Sequence, residues 1–352
     1  MSSDFGVIIA CHRHDYYLAK ACCASIRYFM DDVPIALLTD GEFSTRDMEY
    51  TYGVTTLRRG AVSDPDLRAR SFGWGLTKMI AFWNSPWSTF LLVDADTVVW
   101  GDLRKYARFG AIDVVVDRHI EELFPLSRQE ALLNRFLGRH RLAHEPELRE
   151  HVERWYFQAE HLHRRDPAFP LGESIDRLFC SGAILARRNA VDRDAYLAVL
   201  DSAQSIPGLF GPGEMGLLNY LFFKAEAAGN LRIRQEAGLQ TMVHMIEDTA
   251  MKNRFPMTKE GPPGAIGRPS VLHWSGWRKP VIRDQQPKAA PMNFFRYRFL
   301  FDSGYSRSQA TAILAAEDYN RLVRFAVGAL SDNWISRWQH ATTGPRARKF
   351  GI

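Results

Sequence analysis

The stretch Phe90-Leu-Leu-Val-Asp-Ala-Asp-Thr-Val-Val99 is the most informative segment of this 352-residue chain. It opens with four apolar residues, which is typical of a strand covered on both faces of a parallel sheet. Asp94 and Asp96 follow where that strand ends. Carboxylates are costly to bury there unless a cation pairs with them, and such oxygen ligands suit a Mg²⁺ or Mn²⁺ ion that bridges substrate phosphates. The alternative interpretation of an Asp-x-Asp pair is an ordinary surface turn.

Apolar runs and helical patterns alternate on both sides of this segment. We predict strands at 7–11, 34–38, 88–93, 112–116, 182–186 and 270–273. Helices are predicted at 17–29, 76–83, 192–203, 213–225, and at 308–330 with Ser308 as the N-cap. This alternation predicts an α/β fold with a mixed, mostly parallel sheet flanked by helices. Between residues 118 and 170, nine Arg and nine acidic residues alternate with spaced apolar residues, which predicts a helical insertion.

The composition is that of an ordinary globular protein, with 46% apolar and 24% charged residues. The sequence contains no apolar run of the roughly 18 residues that a membrane span requires. The apolar stretch at 5–11 has no basic residue before it and so does not resemble a secretory signal. The four cysteines form no CxxC pair, which favours reduced thiols. We therefore expect a cytoplasmic protein.

The positive charge lies in the C-terminal part of the chain. The net charge is +5, but residues 278–352 contain 13 Lys and Arg against 5 Asp and Glu, so the preceding residues sum to −3. Residues 293–301 interleave aromatic side chains with Arg, which suits a helix packed on the rest of the chain or a peripheral contact at the inner face of an anionic membrane. Single-stranded nucleic acid would fit too, but we do not expect it as a partner. We predict a catalytic domain at 1–284 and a basic, aromatic helical extension at 285–352.

A second segment, Val271-Leu-His-Trp-Ser-Gly-Trp-Arg-Lys-Pro280, supports the metal interpretation. His273 ends a predicted strand and would supply a third metal ligand. Gly276 would let the backbone approach a phosphate, and Lys279 would neutralise one. Alone, this segment would equally suit a half-buried histidine beside a Trp-rich edge of the core.

Together, these segments resemble the glycogenin-like retaining glycosyltransferases of family 8. The similarity rests on Gly75-Leu-Thr-Lys78 followed by Leu91-Leu-Val-Asp-Ala-Asp-Thr-Val98, and on His273-x-x-Gly276-x-x-Lys279-Pro280 about 180 residues later. Weaker similarities lie at Ser181-Gly182 and at Gly216-Leu-Leu-Asn219. The resemblance implies a GT-A (Rossmann-like) fold, a nucleotide-sugar donor and a metal ion.

The resemblance also implies roles for individual residues. Asp94, Asp96 and His273 would hold Mn²⁺ or Mg²⁺. Asp117, which ends a predicted strand, and Glu214 would lie near the sugar and are the candidate catalytic residues. The nucleotide sugar would be bound at strand ends, on the predicted helix that carries Lys78, and in the segment 271–280. The residues are Ile9, Ala10, Cys11, His12, Lys78, Asp94, Ala95, Asp96, Ser181, Gly276 and Lys279.

Two positions depart from the family pattern. Cys180 stands where the family has the Asn of Asn-Ser-Gly, and Glu214-Met215 stands where it has Asp-Gln. The extra methylene of Glu214 would move its carboxylate by about one bond length. We interpret Cys180 as a packed thiol, because no His motif lies beside it in the sequence.

The resulting expectation is a metal-dependent retaining glycosyltransferase that moves a hexose from a UDP-sugar to a glycan, lipid-linked or protein acceptor. One alternative is a nucleotidyltransferase, which more typically has a Gly-rich loop where this chain has Cys11-His-Arg-His-Asp15. The other is a non-catalytic nucleotide-sugar-binding or interaction protein, which the departures at Cys180 and Glu214 leave open. In the insertion, Trp155, Tyr156 and Phe157 could stack on a sugar ring or pack in the core.

Overall fold

The computed structural model describes residues 4–342 except 74, 126–140, 207, 212, 264–266 and 277–278, and describes the backbone alone at 143, 144, 173, 325 and 327–342. In this part, strands β1 to β10 lie at Phe5–His12, Ile35–Asp40, Thr55–Leu57, Thr89–Asp94, Thr97–Trp100, Val114–Val116, Ala183–Arg187, Ile233–Gln235, Gln240–Met242 and Ser270–His273. Helices α1 to α14 lie at Tyr16–Met30, Arg46–Tyr52, Pro65–Arg70, Ala81–Asn84, His119–Leu123, Arg141–His144, Pro146–Trp155, Ala159–Arg165, Leu171–Ser174, Arg193–Ser205, Met215–Ala227, Asp248–Arg254, Ala290–Asp302 and Arg307–Thr342.

Seven strands form one sheet in the order β3-β2-β1-β4-β7-β6-β8. β7 runs antiparallel to its neighbours β4 and β6, and the other four pairs are parallel. Successive side chains point to opposite faces, so Ile9 and Leu91 enter the core beneath α1 while Ile8 and Leu92 enter the core on the other face. Because both faces are covered, these strands are apolar throughout. The predicted mixed, mostly parallel sheet flanked by helices is confirmed.

The stretch from Phe90 to Val99 is divided between two sheets. β4 ends at Asp94, Ala95 and Asp96 form a turn, and β5 belongs to a second sheet of order β5-β10-β9. β10 is antiparallel to β5 and aligns His273 with Thr97. This register brings the histidine to the turn that carries the two aspartates.

The strands predicted at 7–11, 34–38, 88–93, 112–116, 182–186 and 270–273 are present, with shifts of a few residues at their ends. The predicted helix at 76–83 is a 3-10 helix, Leu76–Ile80, followed by the four-residue α4. Strands β3, β8 and β9 were not predicted, because three residues are too few to show a period. The insertion contains α5 to α8 in its described part, whereas residues 126–140 lie outside it.

The C-terminal helices pack on the sheet domain. Phe295 of α13 contacts two α1 residues, with ring centroids 5.6 Å from Tyr28 and 5.9 Å from Phe29. Arg296 of the same helix is only 1% exposed, so the basic side chains do not all face outward. The boundary predicted at residue 284 falls between β10 and α13 and stays a prediction, and residues 343–352 of the predicted extension lie outside the described part.

The prediction that Ser308 caps the last helix is wrong. α14 begins at Arg307, and Ser306 precedes it. The Ser306 N–H donates to Gln309 Oε1 at 2.9 Å, and Ser306 Oγ accepts from the Gln309 N–H at 3.4 Å. This reciprocal pair is a capping box, which satisfies backbone groups at the first turn of the helix.

Candidate functional site

The site lies at the edge of the large sheet where the parallel strands β1 and β4 end. Their register aligns Ala10 with Asp94, and the antiparallel β7 starts at the same edge because Val93 aligns with Ala183. A cavity of about 460 Å³ opens there. Ligands of open α/β sheets bind at such carboxyl ends. The strand order therefore places the Asp-x-Asp turn and the segment before β7 on one cavity wall.

Asp94, Asp96 and His273 converge on one point of this cavity. One ligand atom from each lies within 4.8 Å of the other two. His273 Nε2 lies 3.2 Å from Asp96 Oδ1 and 3.7 Å from Asp94 Oδ2. Two ligand atoms that each lie about 2.1 Å from one Mg²⁺-sized ion are at most about 4.2 Å apart. Both histidine–aspartate distances are below this limit, so the donor set suits a divalent cation with open positions for substrate.

The charges of two of the candidate metal ligands, Asp96 and His273, shift each other's pKa values. Burial alone would lower the pKa of His273, but the charge of Asp96 raises it to about 10. The pKa of Asp96 is lowered despite its burial, because His273 and Lys279 stabilise its ionised form. Lys279 Nζ also donates to the Trp274 carbonyl oxygen. Metal ligands must be deprotonated, so a bound cation would take the place of the imidazole proton.

Lys78 lies between two carboxylates on the other side of Asp94. Its Nζ is 2.7 Å from Asp94 Oδ1 and 2.5 Å from Glu214 Oε1. Ser181 Oγ also donates to Glu214 Oε1 at 2.5 Å. Burial acts against the charged form of Lys78, but Asp94 and Glu214 outweigh it and raise its pKa. The buried charges are thus paired, as a low-dielectric environment requires.

Gly75 makes room for Glu214. It has a φ of +83°, and a Cβ atom there would lie 1.8 Å from Glu214 Oε2. A side chain at this position would be strained by the backbone conformation and would displace the carboxylate. The position before the 3-10 helix that carries Lys78 therefore requires a glycine for steric reasons.

Most of the residues predicted to bind the nucleotide sugar line the cavity. They are Ala10, Cys11, His12, Lys78, Asp94, Ala95, Asp96, Ser181 and Lys279, together with the predicted His273 and Glu214. Ile9 does not line it, because its side chain is fully buried in the core. Gly276 is also not among the lining residues; it has a φ of +87°, and open space surrounds the position of a Cβ atom.

Asp117 is not among the residues that line the cavity, and its predicted role near the sugar stays a prediction. Its side chain is 2% exposed, and its Oδ1 accepts a hydrogen bond from the Cys180 N–H at 3.0 Å. Burial raises the pKa of Asp117 to about 8. Asp117 therefore stabilises the loop before β7 through this hydrogen bond, without lining the cavity itself.

Several residues that line the cavity were not predicted from the sequence, among them Asp15, Asp40 and Gly213. Asp15 follows the end of β1, is half-buried, and accepts from the His12 N–H at 2.7 Å through Oδ1. Burial raises its pKa to about 7. Gly213 also lines the cavity beside Glu214. The signal for Asp15 was its position just after the first strand, where a polar residue faces the ligand edge.

The aromatic residues of the insertion divide between the core and the cavity. Tyr156 and Phe157 are fully buried, whereas Trp155 is 39% exposed and lines the cavity. Cys180 is a buried free thiol whose Sγ lies 3.9 Å from His273 Nδ1. Cys11, Cys22 and Cys23 are free and buried as well, in agreement with the expected reduced thiols.

No protein-family model matches the chain, and no curated protein matches it in sequence. One solved structure that resembles it is the galactosyltransferase LgtC with donor and acceptor sugar analogues, at 14% identity and TM-score 0.46, over 85% of this chain and 95% of that one. The bifunctional glycosyltransferase WbbM matches at 12% identity and TM-score 0.49, over 90% of this chain and 52% of that one.

A third solved structure is glucosyl-3-phosphoglycerate synthase from Mycobacterium tuberculosis, in complex with Mn²⁺, UDP and glucosyl-3-phosphoglycerate. It matches at 13% identity and TM-score 0.36, over 67% of this chain and 70% of that one. Of the helices in the described part, none is both long and apolar enough to cross a lipid bilayer.

Proposed function

We propose that this chain is a GT-A-type, metal-dependent retaining glycosyltransferase that moves a hexose from a UDP-sugar to an acceptor hydroxyl on a glycan, a lipid-linked molecule or a protein. The observation that carries this proposal is the convergence of Asp94, Asp96 and His273 beside Lys279 in one cavity. A cation site with an adjacent ammonium group suits a diphosphate, whose oxygens bind both.

Asp94, Asp96 and His273 would hold Mn²⁺ or Mg²⁺, which acts as a Lewis acid on a diphosphate leaving group. Lys279 lines the same cavity. It would neutralise negative charge on that diphosphate as the bond to the sugar breaks. Lys78 holds Asp94 in place through its ion pair and faces the same cavity. These residues would stabilise the charge that develops during transfer.

Glu214 is the carboxylate we place nearest the sugar. It lines the cavity, and Lys78 and Ser181 both bind its Oε1 atom. The Lys78 ammonium outweighs burial and lowers the pKa of Glu214, so the group is an anion. An anion there would stabilise the oxocarbenium-like sugar while the acceptor attacks the same face, which gives retention. Asp117 does not line the cavity. We propose that it orients the donor indirectly, through its hydrogen bond to the loop before β7.

The first experiment measures thermal unfolding and UDP release with UDP-glucose and UDP-galactose, with and without Mn²⁺. A ligand that binds only the folded state raises the melting temperature. We expect UDP with Mn²⁺ to raise it, and UDP release to require the metal. Asp96→Asn should remove both effects, with a loss of metal affinity greater than the roughly 10- to 100-fold typical of residues that only orient a ligand.

Asp102→Asn is the matched control. Asp102 follows β5, is about half-exposed, and pairs with Arg104 at the surface. This variant should behave like the wild type. If no uridine nucleotide changes the melting temperature, the UDP-sugar donor is wrong. Binding of UDP-sugars without UDP release from either would instead favour the non-catalytic binding protein.

A further inference from the structure

The backbone that carries Lys279 is bound by side chains of the last helix. Arg321 Nη1 of α14 donates to the Lys279 carbonyl oxygen at 2.9 Å. Asp318 Oδ2 of the same helix accepts from the Ile282 N–H at 2.7 Å. The two ends of the segment 279–282 are therefore attached to α14.

Helix α13 binds the two residues between them. Asn293 Nδ2 donates to the Val281 carbonyl oxygen at 2.8 Å, and Arg296 Nη1 donates to the Pro280 carbonyl oxygen at 3.4 Å. Each residue of 279–282 thus has one backbone group bound by a side chain of a C-terminal helix. Four successive residues of irregular backbone are thus hydrogen-bonded to side chains of the two C-terminal helices.

A buried ion-pair cluster joins α13 to α14 next to the segment 279–282. The Arg296 side chain is fully buried, and its Nη2 lies 2.9 Å from Asp318 Oδ1 and 3.3 Å from Glu317 Oε2. Its guanidinium group also lies 5.2 Å from the ring centre of Tyr17. A buried ion-pair cluster contributes little net stability after desolvation, but it specifies one relative position of the groups that it joins.

We propose that the two C-terminal helices position Lys279 in the nucleotide-sugar site, with Arg321 as the positioning residue that acts on it directly. This inference rests on the proposed function. A lysine side chain is flexible and loses rotamer freedom when it binds a phosphate. Fixing the Lys279 backbone in advance reduces the ordering that ligand binding would otherwise require, and preorganisation of this kind increases affinity.

The test is a double-mutant cycle on UDP affinity, measured by titration calorimetry with Mn²⁺ on the full chain. Arg321→Ala should weaken UDP binding by about 5- to 20-fold, as expected for the loss of one positioning hydrogen bond from a charged donor. Lys279→Ala should weaken it at least as much. In the double variant, we expect the affinity of Lys279→Ala with no further loss, because Arg321 acts through Lys279.

Arg307→Ala is the control, since Arg307 lies on the same helix and is exposed. It should bind UDP like the wild type. Arg321→Lys keeps a cationic donor on a similar stem and should restore part of the affinity. Full additivity of the two substitutions, or unchanged affinity in Arg321→Ala, would overturn the proposal.

Hydrogen exchange separates this inference from the proposed function. In the wild type, Asp318 protects the Ile282 amide without any nucleotide. Arg321→Ala should accelerate exchange in the peptide 279–285 by at least about tenfold, which corresponds to about 1.4 kcal/mol of local opening, whereas Arg307→Ala should not. If the wild type binds no UDP but this acceleration occurs, the proposed function fails while the attachment of the segment stands. Unchanged exchange in Arg321→Ala overturns the attachment itself.

Discussion

Burial of the Asp117 carboxyl group makes the stability of the folded protein depend on pH. Its pKa is raised by burial from 3.8 in a free chain to about 8 in the fold. Between these two values the unfolded chain loses the proton and the folded chain keeps it, so the folded state binds more protons. The free energy of unfolding contributed by this group is therefore highest below pH 3.8 and falls as the pH rises to about 8.

We expect Asp117→Asn to reduce this pH dependence. An Asn side chain keeps an oxygen that can accept from the Cys180 N–H and does not titrate. Relative to the wild type, the variant should gain stability from pH 5 to pH 8 by at most about 1.4 kcal/mol per pH unit. Urea unfolding at several pH values measures this, with Asp32→Asn at an exposed position as the comparison. A constant difference between variant and wild type would mean that Asp117 is already ionised in the folded protein.

At the scale of one element, the start of α14 depends on its capping box. Ser306 and Gln309 satisfy each other's backbone N–H groups, and Ser308 is an exposed residue within the first turn. Ser306→Ala should lower the free energy of unfolding by about 0.5–2 kcal/mol. Ser308→Ala should change it by less than about 0.5 kcal/mol. Thermal unfolding of the two variants decides between the caps, and equal effects would contradict this assignment.

At the scale of the whole molecule, the C-terminal helices share the core of the sheet domain. Met292, Phe295 and Phe299 of α13 are buried in the same cluster as α1 and β5. Removing residues 285–352 would expose that apolar surface, at a cost of roughly 1.5–3 kcal/mol for each such side chain. We expect the fragment 1–284 to lose cooperative unfolding, as judged by near-UV circular dichroism and a denaturant titration. A fragment that unfolds cooperatively would support the predicted boundary at 284.

Distant contacts explain which parts of the site escaped prediction. Asp94 and Asp96 were identifiable because they follow four apolar residues in one strand. Asp15 had only the weaker signal of following the first strand, and Arg321 had none, because its relation to the site depends on where α14 lies. The contact between Arg321 and Tyr17 joins residues 304 positions apart, and no local period records such a contact.

The buried strands, the long helices and the carboxylate pair at a strand end could be predicted from the amino-acid sequence, because apolar period and residue type are local properties. Tertiary structure alone decided that Phe90–Val99 turns from one sheet into another, that Lys78 pairs with Glu214, and that Asp117 lies behind the cavity. These outcomes depend on strand register and on the packing of helices against the sheet, which arise only when the whole core is assembled.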